Sequence, residues 1–170
     1  MLKCIGAAMA FCLSTAIGIM LCEREKARLK TLGELCDDMN AVRFKLRYAA
    51  VPLGELLEGM GSESTKQLWA AMREGICGGR SAAESWDELQ KRGEAYACIN
   101  GLNADEKSIV GEFMCGLGTS DKDTQLDRAE ISINKLREHI RTVTPQINTS
   151  GKLYVSLGTT LGLAGALMLI

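Results

Sequence analysis

The residue of this chain best suited to acid–base or metal chemistry is its single histidine, His139. A zinc site or a general acid–base pair needs several His, Cys, Asp or Glu side chains in one place. His139 instead lies beside Leu136 and Ile140, two apolar positions of a helical pattern, with Arg141 nearby. The sequence therefore predicts a solvated or boundary residue at position 139 and no metal site.

Two glycine pairs and two acidic pairs are the other candidates for phosphate or carboxylate chemistry. They are Gly78 with Gly79, Gly116 with Gly118, Asp37 with Asp38, and Asp121 with Asp123. No Lys-Ser/Thr follows the glycines to hold phosphate, and the acids fall on helix faces or helix starts, where acidic residues are common. No nucleophile-elbow or metalloprotease motif is present either. We predict a protein that is not an enzyme, with no cofactor and no small-molecule substrate.

The seven cysteines do not form a disulfide framework. Three lie in the first apolar stretch and four are scattered through the middle: Cys4, Cys12, Cys22, Cys36, Cys77, Cys98 and Cys115. The count is odd and there is no C-x-x-C spacing, which favours free thiols in a reducing compartment.

Small residues at spacings of about four mark one face near the carboxyl end of the chain. Gly158, Gly162, Gly165 and Ala166 form this small-xxx-small pattern, and Gly6/Ala10 and Ser14/Gly18 are similarly spaced. Close approach of backbones favours helix association in lipid. We predict membrane-helix packing at these residues, either between the two ends of the chain or with a partner's helices. The alternative is that Gly and Ala are simply common in membrane helices.

The small residues lie in two apolar stretches, one near each end of the chain. Residues 4–22 and 153–170 contain no charge, and each is long enough to span the hydrocarbon core of a bilayer. We expect transmembrane anchors at 1–22 and 152–170 around a helical domain at 23–151. A cleaved signal peptide ending near Ala16 is the alternative for the first segment. The apolar run continues past Ala16 to Cys22, which favours a retained anchor.

Flanking positive charge predicts the orientation. The bundle side offers Arg24, Lys26, Arg28, Lys30, Lys135, Arg137, Arg141 and Lys152, whereas the other side offers Lys3. An excess of Lys and Arg marks the cytoplasmic side of a membrane, so the domain is expected to face the cytoplasm. The net charge of −1 and the absence of basic–aromatic clusters argue against nucleic acid as a partner.

Apolar periodicity predicts helices throughout the middle domain. One stripe comprises Leu32, Leu35, Met39, Val42, Leu46 and Ala49, and another comprises Leu126, Ala129, Ile133, Leu136, Ile140, Val143 and Ile147. Their spacings of three and four are typical of a helix that buries one face. The first helix is expected to continue directly out of the first anchor. Pro145 should kink or end the last helix, with a short hinge at 148–151.

Shorter helices are predicted between these two. One begins at Pro52, another covers about 64–77, and capping boxes at Ser81/Glu84 and Asn103/Glu106 start two more. No alternating run suggests a strand. The predicted fold class is therefore all-α: an antiparallel bundle of about six helices flanked by an N-terminal and a C-terminal transmembrane helix.

A local basic cluster lies on the first long helix. Arg43, Lys45 and Arg47 follow one another at alternate positions, and Arg43 and Arg47 share a face. Like charges four residues apart repel slightly unless something acidic meets them. A docking site for a partner is one reading, and a solvated face is the other and the favoured one.

Three segments together resemble the stage III sporulation protein AB family. Residues 47–55 look like the segment that joins the family's first long helix to the next, although Val51 replaces the usual threonine before the proline. Residues 117–121, followed by Gln125, look like its leucine-glycine-x-serine-aspartate loop, and residues 152–162 look like its closing membrane segment. The segments occur in the family's order across nearly the whole chain.

The resemblance implies a role in endospore formation. Members are similar to the cytoplasmic domain of F-type platform proteins of type II secretion and type IV pilus machines, an all-helical bundle. It implies a scaffold subunit in the mother-cell membrane around the forespore, within a channel complex that links the two compartments. The implied partners are a hexameric secretion-type ATPase and other membrane subunits. The alternative is a membrane-tethered helical adaptor or signalling module that binds one cytosolic partner.

Overall fold

The computed structural model describes residues 2–49, 51–92, 97–119 and 121–169. Within these residues the chain forms seven α-helices and no strand. The helices are α1 (Leu2–Tyr48), α2 (Leu53–Leu56), α3 (Lys66–Cys77), α4 (Ala82–Lys91), α5 (Ala97–Asn100), α6 (Ala104–Gly116) and α7 (Lys122–Leu169). The predicted all-α class is confirmed.

The chain divides into two units, one comprising residues 1–29 and 141–170 and the other comprising residues 30–140. The second unit contains most of the apolar core. Its fully buried large side chains come from both long helices and from the segments between them: Leu32, Leu35, Met39, Leu57, Leu68, Trp69, Met72, Ile99, Phe113, Met114, Ile133 and Leu136. The apolar stripes of α1 and α7 that the sequence predicts therefore both face this core.

Within residues 30–140, α1 and α7 run antiparallel. Arg43 of α1 forms an ion pair with Glu130 of α7. Burial raises the pKa of the Cys36 thiol of α1, and Arg137 of α7 lies close enough to oppose part of that rise. Residue numbers fall along α1 as they rise along α7, which is the antiparallel arrangement that the stripes predicted.

The short helices begin where local sequence signals indicate. At both Ser81 and Asn103 the cap side chain accepts the N–H of a glutamate three residues on, and that glutamate accepts the cap's N–H in return. These reciprocal bonds satisfy amide donors that a helix start otherwise leaves unpaired. Both predicted capping boxes are confirmed.

Close approach of α4 to α6 depends on a glycine. A Cβ added at Gly111 of α6 would lie 2.8 Å from Nε1 of Trp86 on α4, which is closer than carbon and nitrogen pack without displacement. Trp86 is itself buried. The glycine therefore allows the indole ring to lie directly against the α6 backbone.

Several predictions for the helices need correction. The element at Pro52 is a short α2 followed by turns, in which Gly59 and Gly61 have positive φ angles of 68° and 103°. The four-residue α5 was not predicted. The helix α7 continues past Pro145 to Leu169 and includes residues 148–151, so the alternative that it ends at the proline and the hinge after it are both wrong.

Among the described residues, no helix has both the length and the apolar character that crossing a bilayer requires. Many side chains of the two expected anchors, residues 1–22 and 152–170, lie outside the described part of the chain.

A buried carboxylate attaches α1 to the segment that leads into α3. Asp38 is 6% exposed and accepts hydrogen bonds from Ser62 Oγ at 2.9 Å, from Trp69 Nε1 at 3.0 Å and from Thr65 Oγ1. The backbone N–H of Ser62 adds a bond of 3.3 Å. Asp38 lies on a helix face as predicted, but that face is buried and its carboxylate accepts hydrogen bonds from donors inside the bundle, which the sequence did not predict.

Candidate protein-interaction site

A shallow groove lies at one end of the bundle of residues 30–140, where three chain segments converge. It is formed by the last turn of α1, the first turn of α2 and the loop from α6 to α7. Its lining residues are Leu46, Ala49, Val51, Leu53, Gly118, Lys122 and Gln125. We call this set the end groove.

Pro52 turns the chain from α1 into α2. Proline lacks an N–H and disfavours helical geometry in the residue before it. α1 accordingly ends at Tyr48, and Pro52 adopts φ −56° and ψ 147° as the cap of α2. Its carbonyl oxygen accepts the N–H groups of Glu55 and Leu56, each at 3.0 Å. Val51 and Leu53 are thereby placed on the two sides of the turn.

Gly118 shapes the opposite side of the end groove. It has a φ of +75°, a conformation that side chains other than glycine rarely adopt. A Cβ there would lie 3.4 Å from Leu53 Cδ2. The Gly118 N–H also donates to Gln125 Oε1 at 3.1 Å, which ties the loop to the first turns of α7.

Asp121 caps α7 beside the end groove. Its Oδ2 accepts the N–H of Thr124 at 3.1 Å. This hydrogen bond to the charged form is the main cause of a lowered pKa for the Asp121 carboxyl. Asp123 lies in the first turn of the same helix, so this acidic pair occupies a helix start as predicted.

An exposed aromatic pair lies on the last turns of α1. Phe44 and Tyr48 are 66% and 69% exposed, and their ring centroids are 4.7 Å apart. Val51, which lines the end groove, is 45% exposed. Adjacent exposed aromatic rings are unusual on a surface that contacts only water, and aromatic residues are enriched where proteins bind one another.

The basic residues Arg43, Lys45 and Arg47 of α1 differ in their contacts. Arg43 pairs with Glu130, and Lys45 Nζ donates to the carbonyl oxygens of Leu56 at 3.1 Å and Glu58 at 3.3 Å. Arg47 is exposed. Arg43 and Lys45 therefore stabilise the bundle itself, and Arg47 remains available beside the aromatic pair.

His139 lies at the boundary between core and solvent, as predicted, and it has a partner that the sequence did not predict. Its side chain is 21% exposed and its Nε2 atom lies 3.1 Å from Oε1 of Glu106, whose side chain is fully buried. The boundary position was predicted correctly, but the partner was not. Glu106 is 33 residues away in sequence, and nothing in either local pattern signals the contact.

The thiols behave as the sequence suggests. Cys12, Cys22, Cys36, Cys77, Cys98 and Cys115 are free. Burial raises the pKa of the Cys36 and Cys98 thiols, and burial together with Asp87 raises the pKa of Cys115. A raised pKa lowers the fraction of reactive thiolate.

The predicted packing residues Gly158, Gly162, Gly165 and Ala166 are part of α7. Their surroundings lie outside the described residues, so helix packing at these positions stays a prediction. Within the described residues, no cluster of three His, Cys, Asp or Glu side chains could hold a metal ion.

Comparison with known families decides the identity of the chain. The model of the stage III sporulation protein AB family matches residues 3–170. The chain belongs to this family. It matches no curated protein and no solved structure.

The end groove is lined by segments that resemble the family. Two of the three segments that resemble stage III sporulation protein AB, residues 47–55 and 117–125, form the two sides of the groove. They are far apart in sequence and meet in the fold. The candidate site in this family member is therefore the end groove together with Phe44 and Tyr48.

Proposed function

We propose that this sporulation protein is a non-enzymatic platform subunit of a channel complex that links mother cell and forespore. In this proposal residues 1–22 and 152–170 anchor it in the mother-cell membrane around the forespore, and residues 23–151 face the cytoplasm. Family membership supports the sporulation role. The uncharged ends and the basic residues beside them support the anchors and their orientation.

The observation that carries the proposal is the exposed aromatic pair Phe44 and Tyr48 on the last turns of α1. Burying two such rings against a partner removes a large apolar area from water, and this is the main favourable contribution to most protein association. We propose that this surface docks the hexameric secretion-type ATPase, and that the anchors pack among other membrane subunits.

The docking surface is tested with a Phe44→Ala/Tyr48→Ala double variant in the native host. We expect loss of co-purification with the ATPase and a large drop in heat-resistant spores, with normal vegetative growth. The matched control is Ile131→Ala, because Ile131 is also an exposed apolar residue, at 56%, but lies on α7 away from the end groove. Wild-type co-purification and sporulation of the double variant would reject this surface as the docking site.

The membrane part of the proposal is tested separately. A Gly158→Leu/Gly162→Leu variant should lose co-purification with the other membrane subunits, because bulky side chains prevent close helix approach. Ser156→Leu is the control, since Ser156 is exposed and lies off the small-residue face. Unchanged co-purification of the glycine variant would contradict the packing, and release of the wild-type chain from membranes by alkaline carbonate would contradict the anchors.

A further inference from the structure

Charge is divided unequally between the two units of the chain. The unit of residues 1–29 and 141–170, which we call the terminal unit, contains six Lys or Arg and two Glu, a net charge of +4. Residues 30–140 contain fourteen Lys or Arg and nineteen Asp or Glu, a net charge of −5. A positively charged surface attracts anionic partners, and an acidic one repels them. The terminal unit therefore favours an anionic partner although the whole chain is slightly acidic.

Exposed apolar side chains follow one side of α1 in the terminal unit. Met9, Leu13, Ile17 and Met20 are each more than half exposed. Their spacings of four, four and three residues place them on one side of the helix, and Arg24, four residues further on, continues that side. Large exposed apolar patches mark contacts with proteins or membranes. An apolar face that leads to a cation has the order of a lipid leaflet, in which acyl chains lead to charged headgroups.

Three basic side chains of the terminal unit are exposed and have no bonded partner among the residues that the structure describes. They are Arg24 and Lys26 of α1 and Arg141 of α7. Arg28 differs from them, because it bonds to Glu25 at 2.9 Å and so occupies one of the unit's two acidic side chains. The other acid, Glu23, is exposed. The terminal unit therefore presents more unpaired positive charge than negative charge at its surface.

We propose that Arg24, Lys26 and Arg141 bind the headgroups of anionic phospholipids in the membrane that holds the chain. This inference rests on the anchoring proposed above and adds a lipid class to it. Guanidinium and ammonium groups donate charge-assisted hydrogen bonds to the phosphate oxygens of a headgroup. Each basic residue close to an anionic membrane surface strengthens binding by about fivefold. An acidic protein would satisfy the same cations but would leave the adjoining apolar side of α1 exposed to water.

The test uses the full-length protein in phosphatidylcholine vesicles that contain a trace of spin-labelled lipid. The electron paramagnetic resonance spectrum separates lipid held at the protein surface from freely moving lipid. We expect the wild type to prefer spin-labelled phosphatidylglycerol over spin-labelled phosphatidylcholine by about fivefold. The preference should be lost in an Arg24→Gln/Lys26→Gln/Arg141→Gln variant. It should also fall in about 1 M NaCl, which screens exposed charges.

The matched control is Lys66→Gln/Lys91→Gln/Arg128→Gln, which removes the same charge from exposed positions within residues 30–140. This control should keep the wild-type preference for phosphatidylglycerol. Equal association of the wild type with both lipids, or an equal loss of preference in the two triple variants, would overturn the inference while leaving the anchors in place. Release of the wild type from the vesicles by alkaline carbonate would instead contradict the anchors, and the inference with them.

Discussion

Asp38 and Glu106 are carboxylates buried in the same bundle but held by different kinds of partner. Asp38, 6% exposed, accepts hydrogen bonds from hydroxyl, indole and backbone N–H donors. None of these donors changes charge near neutral pH. Glu106, fully buried, accepts a backbone N–H and meets His139.

The two arrangements also differ in how they join the fold. The partners of Asp38 come from one short stretch, residues 62–69, so the carboxylate attaches a single segment to α1. Glu106 and His139 join the start of α6 to the middle of α7. The comparison shows that a buried carboxylate can attach a nearby segment to one helix, as Asp38 does, or join two helices, as Glu106 does, according to where its partners lie.

The largest effect is expected from Asp38→Ala. It leaves hydroxyl and indole donors buried without an acceptor, and losing a buried charged partner typically costs about 3–5 kcal/mol. Urea unfolding of the full-length protein measures the change. Asp37→Ala is the control, because this neighbouring residue is exposed and should change stability by less than about 0.5 kcal/mol. Similar losses from the two variants would show that the buried network does not stabilise the bundle.

A smaller effect is expected from Glu106→Ala. This change removes one half of a capping box and the partner of His139, with an expected loss of about 2–3 kcal/mol in the free energy of unfolding. Glu112→Ala is the comparison on the same helix. It breaks an exposed ion pair with Lys135 and should cost less than about 1 kcal/mol. A loss in the free energy of unfolding from Glu112→Ala that equals or exceeds the loss from Glu106→Ala would contradict this prediction.

Trp69→Phe sharpens the comparison by removing one neutral donor from Asp38. The phenyl ring retains most of the packing, including the edge contact with Phe113 at a centroid distance of 6.5 Å. Ser62 and Thr65 still bond to the carboxylate. We expect a loss of about 1–2 kcal/mol in the free energy of unfolding, measured in urea. A loss as large as that from Asp38→Ala would mean that the indole N–H is the main partner of the carboxylate.

The smallest effect on stability is expected from the exposed helix cap formed by Ser81 and Glu84. Hydrogen bonds from Ser81 to Glu84 lower the pKa of the Glu84 carboxyl, chiefly the bond from the backbone N–H. A lowered pKa in the folded state stabilises the fold above the ordinary pKa of glutamate, and this contribution is lost as pH falls through the folded value. Glu84→Gln should therefore reduce the acid sensitivity of unfolding below about pH 4.5 and leave its behaviour between pH 6 and 8 unchanged. If the variant and the wild type lost stability equally as the pH fell, the Glu84 carboxylate would make no measurable contribution to the acid sensitivity of the fold.

Local signals predicted most of the fold because they act over a few residues. Ser81 and Asn103 start helices through bonds three residues long, and Pro52 ends the α1 path because it lacks an N–H. The four-residue α5 was missed, since so short a helix shows no complete apolar period. The prediction that Pro145 could end the last helix was wrong, because α7 continues through it. Thr149 Oγ1 donates a hydrogen bond to the Pro145 carbonyl oxygen at 2.9 Å.

The candidate site could be predicted in part. The segments around Pro52 and Gly118 were recognisable from their resemblance to a family, but their meeting across the end groove was not, because they are more than sixty residues apart. The same limit applies to the buried carboxylates. Asp37 and Asp38 are identical neighbours in the sequence, yet one is exposed and the other buried.

The sequence by itself determined that this protein is helical, where its long helices bury their faces and which residues cap the shorter ones. Each of these properties depends on side-chain spacing and on hydrogen bonds within one turn. Only the tertiary structure decided that Asp38 meets Trp69, that Glu106 meets His139 and that Phe44 and Tyr48 remain at the surface. These outcomes depend on which helix packs against which face, and that is a property of the whole core.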